Sequence, residues 1–121
     1  MDPDGTRPSP PFPTSFLFGV ATADHQCEAY VDGADDIRDV WERARGETRR
    51  GAATDFWNRY AEDIKLAADL GCKLFRISLS WARLEPRPDE WSDEAFEHYR
   101  AVLGAIRGAG MQSIVTLLHN T

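Results

Sequence analysis

Apolar and polar positions divide the chain into short blocks of different period. Phe16-Leu17-Phe18-Gly19-Val20 is an apolar run long enough for one buried strand. From Thr54 the spacing turns helical, with Phe56, Tyr60, Ile64, Ala67 and Ala68 on one face and Glu62, Lys65 and Asp69 opposite. Thr54 is placed to cap this helix with Asp55 in its first turn, and Gly71 to stop it. Lys73 to Ser80 then alternates as a strand, and Pro86 and Pro88 break the chain. Ser92 opens a second helix with Asp93 and Glu94 at its positive end, an apolar stripe of Phe96, Tyr99, Val102, Leu103 and Ile106, and Gly108 and Gly110 at its close. The last run, Ser113 to Leu118, is nearly all apolar, as in a strand covered on both faces.

Between the first strand and the first helix, Ala21 to Ala53 lacks a strong period, and a stretch of that length in a compact domain marks a functional loop. Asp36 to Glu42 has room for one helical turn. Residues 1–13 hold Pro3, Pro8, Pro10, Pro11 and Pro13 and read as an extended arm ahead of a single domain over 14–121. Strands separated by crossover helices pair in parallel, so the fold class is α/β. Three such strands leave two open sheet edges, and the last strand has no following helix to cover it.

Composition narrows the function. The chain has 121 residues, 14 basic against 20 acidic, for a formal charge of −6. That balance lacks the basic footprint of a nucleic-acid binder. No apolar run approaches the roughly 20 residues that cross a bilayer, and the opening lacks the basic and apolar segments of a signal peptide. Two cysteines, Cys27 and Cys72, fit a reducing cytoplasm better than a disulfide framework.

Candidate chemistry lies at the strand ends. Arg76 points away from the helix-facing set Phe75, Ile77 and Leu79, and an arginine at that depth calls for a carboxylate that the neighbouring strands do not supply. An arginine at an exposed sheet edge and a site arginine are both compatible with the spacing. Asp24-His25-Gln26-Cys27-Glu28 follows the first strand. A structural zinc site needs four suitably spaced ligands, and with no second Cys/His cluster no metal is expected. Asp24 and Glu28 form a possible acid/base pair, although solvated loop carboxylates are the plainer expectation. Gln26 offers an acceptor and two donors, which suits a polyol. His119 directly follows the third strand, on the same rim as Gln26 if the sheet belongs to a parallel barrel. His98, beside the stripe of the second helix, reads as a surface residue. The four tryptophans, Trp41, Trp57, Trp81 and Trp91, read mostly as core, with Trp81 the one best placed to face a ligand. Arg43, Arg45, Arg49 and Arg50, interleaved with Glu42 and Glu47, read as a solvated loop. No glycine-rich phosphate loop and no Gly-x-Ser-x-Gly elbow is present, so nucleotide-binding and serine-hydrolase readings have no support; no cofactor is expected.

Taken in order, these segments resemble the N-terminal part of glycoside hydrolase family 1, the β-glucosidase-like retaining enzymes. The resemblance rests on Phe12-Pro13, Phe16 to Ala23 and Gln26-x-Glu28, then Asp39-Val40-Trp41. It continues through Thr54-Asp55-Phe56 with Tyr60, Glu62-Asp63-Ile64 and Leu70-Gly71, then Phe75-Arg76-Ile77-Ser78 to Arg83 with Pro86, and ends at Val115 to His119. It implies a TIM (β/α)8 barrel, of which this chain would hold the first three strands and two crossover helices. By matching position, Gln26 and His119 would bind hydroxyls of the sugar, and Arg76 would sit beside the nucleophilic carboxylate. Ala29 stands where the family usually has glycine, and Asn120 where it has an aromatic residue.

Retaining hydrolysis needs two carboxyl groups about 5–5.5 Å apart. In the family both are glutamates on later strands, the first within a Thr-x-Asn-Glu-Pro stretch, which this sequence does not contain. The expectation is therefore part of a β-glycosidase, carrying half a sugar site, acting on a β-glycoside or small sugar, and inactive by itself. The alternative is a non-catalytic relic or sugar-binding module that self-associates or pairs with a C-terminal barrel half.

Overall fold

The computed structural model describes residues 11–119. Most of the proline-rich arm, together with Asn120 and Thr121, lies outside them. The elements run β1 (Gly19–Ala21), α1 (Asp24–Cys27), α2 (Ile37–Arg45), α3 (Phe56–Asp69), β2 (Leu74–Ser78), α4 (Trp81–Leu84), α5 (Asp93–Gly108) and β3 (Gln112–Thr116). The strands form one parallel sheet in the order β1-β2-β3, with Val20 opposite Phe75 and Arg76 opposite Ile114. The α/β class, built as an open part of a barrel, stands as expected.

The core lies between the sheet and its two long helices. Phe56, Ile64 and Ala67 of α3 and Tyr99, Val102 and Ile106 of α5 bury against Phe75 and Ile77 of β2. Phe56 and Phe75 stack at 5.9 Å between centroids. The periodic residues of both helices therefore face where their spacing aims them. Phe96 departs from its stripe: it is exposed, and Ala95 takes the buried position.

Several local expectations change. Asp55, not Thr54, stands at the N-cap of α3, in a left-handed conformation (φ 53°) without a side-chain cap. The Thr54 hydroxyl instead donates to the Cys27 carbonyl at 3.0 Å, tying the long loop to the helix start. The single turn expected near Asp36 is a nine-residue helix. Asp36 accepts from the amides of Arg38 and Asp39 while Asp39 accepts from the Asp36 amide, a capping box that holds α2 without an apolar core face. Gly46, at φ 65°, ends it.

The first strand is shorter than its apolar run. Phe16 and Phe18 pack with Phe12 at 4.5–5.0 Å, outside the sheet and partly exposed. β3 was expected to be covered on both faces, yet Ile114, Leu117 and Leu118 are 50%, 65% and 64% exposed among the described residues. Nor are the tryptophans mostly core, since Trp41, Trp81 and Trp91 are exposed and only Trp57 packs against the core cluster. Among the described residues no helix is long and apolar enough to cross a membrane.

Candidate functional site

Parallel strands bring their C-terminal ends to one rim, and three residues join there. Asp24 opens α1 just after β1, Ser78 ends β2, and His119 follows β3. The Asp24 amide donates to Ser78 Oγ at 2.8 Å, and that hydroxyl donates back to Asp24 Oδ1 at 2.7 Å. His119 Nδ1 lies 3.6 Å from the same Oδ1. Asp24 is 1% exposed, so one buried carboxylate links the ends of all three strands.

The residues read as ligand-facing come from the same strands and the segments that follow them. Gln26 is exposed on α1, two residues beyond Asp24. His119 is half-buried. Arg76, also half-buried, donates from Nη1 to the Thr22 carbonyl at 2.8 Å and from Nε to Thr116 Oγ1 at 3.0 Å. Neutral oxygens on both neighbouring segments thus hold the guanidinium, and among the described residues it forms no ion pair. Trp81 starts α4 after β2, with its indole N–H donating to Glu85 at 2.8 Å and its ring edge-on to Trp91 at 5.9 Å. A cavity of about 420 Å³ lined by Asp32, Trp57, Arg83, Arg87 and Ser92 lies elsewhere, and none of Gln26, Arg76, Trp81 or His119 lines it. We place the candidate site at the rim, because the polar side chains converge there and not in that cavity.

Two further charge clusters are largely buried, and they include Glu28, Glu42 and Arg50, which read from the sequence as solvated. Glu28 accepts from the Tyr99 hydroxyl at 2.9 and 3.0 Å and pairs with Arg83 Nε at 3.1 Å. Burial lifts its pKa to about 7, against the lowering effects of Arg83 and of the Tyr99 hydrogen bond. Burial, and then the Glu28 charge, push the Tyr99 phenol above its ordinary value. Tyr99 also accepts from the Ser80 amide at 2.8 Å, and Arg83 lies over the Trp57 ring at 4.0 Å. In the second cluster His25 Nδ1 lies 2.7 Å from Asp36 and Nε2 lies 2.9 Å from Glu42. Arg50 donates to Asp39 at 2.8 Å and sits 3.7 Å from Asp36.

Asp24 and Glu28 are therefore not solvated loop carboxylates, nor are they open to a substrate as an acid/base pair. Arg50 is likewise not part of a solvated loop, because its side chain is 4% exposed against two carboxylates. His98 is not a free surface residue either. It stacks on Trp57 at 3.7 Å, and burial lowers its pKa. His25, Asp36 and Asp39 bring ligand-type atoms within 4.8 Å of one another. Zinc spacing rules missed this group because its members come from two segments. Its carboxylates already face Arg50 and both nitrogens of His25 are engaged, which makes the group an ion-pair network, although Asp39 Oδ1 and Arg50 Nε and Nη1 are buried without a hydrogen-bond partner.

The family described as "Glycosyl hydrolase family 1" matches the chain over residues 9–121. Among curated relatives, the 6-phospho-beta-glucosidase AscB of Escherichia coli is 35% identical over 89% of this chain and 28% of its own length. The 6-phospho-beta-glucosidase of Clostridium longisporum is 37% identical over 89% of this chain and 26% of its own. Among solved structures, beta-glycosidase BGL167 superposes with a TM-score of 0.81 at 40% identity, covering 89% of this chain and 26% of that one. Virulence factor SghA of Agrobacterium tumefaciens reaches 0.83 at 30% identity, covering 90% and 26%. The chain spans about a quarter of the length of the relatives it matches.

Proposed function

The chain belongs to glycosyl hydrolase family 1, and from that premise we propose that its protein hydrolyses β-glycosides by double displacement, with this chain contributing part of the glycone site. Gln26 exchanges hydrogen bonds with sugar hydroxyls through its amide, and His119 binds a neighbouring hydroxyl. Arg76 supports the charge of a nucleophilic carboxylate supplied by chain beyond the described residues. Trp81 offers an aromatic face to the substrate. The observation that carries this reading is the Asp24–Ser78–His119 link, which joins the segments after all three strands, one of them the α1 turn that also carries the exposed Gln26. β-Glucosidase-like chemistry agrees with the relatives' names, and the two free cysteines agree with a cytoplasmic setting. The sequence holds no Thr-x-Asn-Glu-Pro stretch, and on this reading the two catalytic glutamates come from outside the 121 residues, which alone turn over no substrate.

The test uses the protein made from the complete reading frame that contains this chain. With an aryl β-glucoside, the first product seen by NMR is expected to be the β-anomer. Gln26→Ala and His119→Ala should each lower kcat/KM by about 10–100-fold, the loss of one or two hydrogen bonds to substrate. An α-anomeric first product, or two variants with unchanged kinetics, would remove this reading.

The bare apolar residues of β3 and the Phe12-Phe16-Phe18 cluster favour a second reading, in which the chain is a non-catalytic module that self-associates or pairs with a C-terminal barrel half. A chain that self-associates or binds such a separate half and still shows no turnover would select it.

A further inference from the structure

We infer that Asp24 is a positioning residue that fixes the tautomer and aim of His119, so that His119 meets a sugar hydroxyl with Nε2 as hydrogen-bond acceptor. This rests on the reading of His119 as a sugar-binding residue.

The Asp24 carboxylate cannot swing. It is 1% exposed, and its Oδ1 accepts from a Ser78 hydroxyl whose own lone pair takes the Asp24 amide proton. The two bonds close a ring between the ends of β1 and β2, so Oδ1 has a fixed place. That oxygen faces His119 Nδ1 at 3.6 Å, a charge–dipole contact longer than a hydrogen bond. A carboxylate repels the lone pair of an unprotonated Nδ1 and attracts an N–H there. The proton of the neutral ring therefore sits on Nδ1, and the tautomer follows from what the second nitrogen faces. Asp24 Oδ2 is buried with no hydrogen-bond partner, so the charge is not dispersed onto other donors and its field acts on the ring.

Chemistry at the site follows from this choice. A neutral imidazole protonated at Nδ1 has an acceptor and no donor at Nε2. His119 then recognises a hydroxyl that donates, and Gln26, with both kinds of group, bonds the remaining oxygen atoms. Replacing that hydroxyl by hydrogen or by fluorine removes the donor in either case, so both sugar analogues lose affinity alike.

The experiment uses the protein from its complete reading frame, labelled with ¹⁵N-histidine, in long-range ¹H–¹⁵N spectra at alkaline pH. The expected result is His119 with a protonated Nδ1 and a bare Nε2 in the native protein. Asp24→Ala should move the proton to Nε2, while Asp24→Asn, whose carbonyl still accepts, should keep much of the native tautomer. Asp24→Ala should also raise KM for the aryl β-glucoside about tenfold, the worth of one hydrogen bond, with kcat changed less than about twofold. A merely structural Asp24 would lower the melting temperature and leave the tautomer alone. His119 protonated at Nε2 in the native protein overturns the inference, even if every Asp24 variant fails to fold. A tautomer that follows Asp24 while His119→Ala leaves KM unchanged keeps the coupling and overturns the sugar-binding reading instead.

Discussion

At Glu28 a carboxylate is buried against Arg83 and the Tyr99 hydroxyl, and burial lifts its pKa from an ordinary 4.5 to about 7. The folded chain then holds this proton more tightly than the unfolded one. Its contribution to stability is full below pH 4.5 and is lost as pH rises through 7, by roughly 3 kcal/mol in all. Glu28→Gln cannot titrate but can still accept from Tyr99. Urea denaturation from pH 5 to pH 8 should show the native protein losing stability relative to this variant, and parallel profiles would contradict the assignment. None of this is legible in the sequence, because Glu28 and Tyr99 are 71 positions apart. Arg50 makes the same point, since an arginine among other arginines in a loop gives no sign that it pairs with Asp39 in the interior.

Among the elements, those with a strong period were legible and those held by side-chain caps were not. α3 and α5 bury the faces that their apolar spacing marks, and Gly71, at φ 93°, stops the first of them as expected. α2 has no such face and forms through Asp36 and Asp39, whose reciprocal bonds belong to a capping box of two aspartates. β1 is short and depends on one close approach. A Cβ on Gly19 would stand 2.6 Å from the Leu74 carbonyl oxygen and Cβ, inside van der Waals contact. Gly19→Ala should therefore force β1 and β2 apart and cost about 1–3 kcal/mol. Thermal melting checks the loss, and faster amide exchange at Arg76 and Ser78 than at Val102 would localise it to the sheet.

For the whole molecule, the strand-helix alternation already implied a parallel sheet, and the sheet order β1-β2-β3 agrees. The two open edges were foreseeable, and the exposed Ile114, Leu117 and Leu118 give the β3 side its physical consequence. An apolar surface of this kind associates in water. The 121-residue chain by itself should form concentration-dependent oligomers in light scattering at micromolar levels, and Leu117→Ser with Leu118→Ser should reduce them. A monodisperse monomer would show that this face needs no partner. The same isolated chain should release no product from an aryl β-glycoside above buffer.

The sequence by itself determined the α/β class, the two long helices, the parallel order that puts the segments after the strands at one rim, and the family. Those features rest on local spacing and on short segments in order, which any folded context preserves. Only the tertiary structure decided how charges are partnered. Asp24 and Ser78 stand 54 positions apart, and the fold alone brings them to 2.7 Å. Burial then turns residues that would be solvated in a loop into fixed charges, because a desolvated carboxylate persists only where donors or cations meet it.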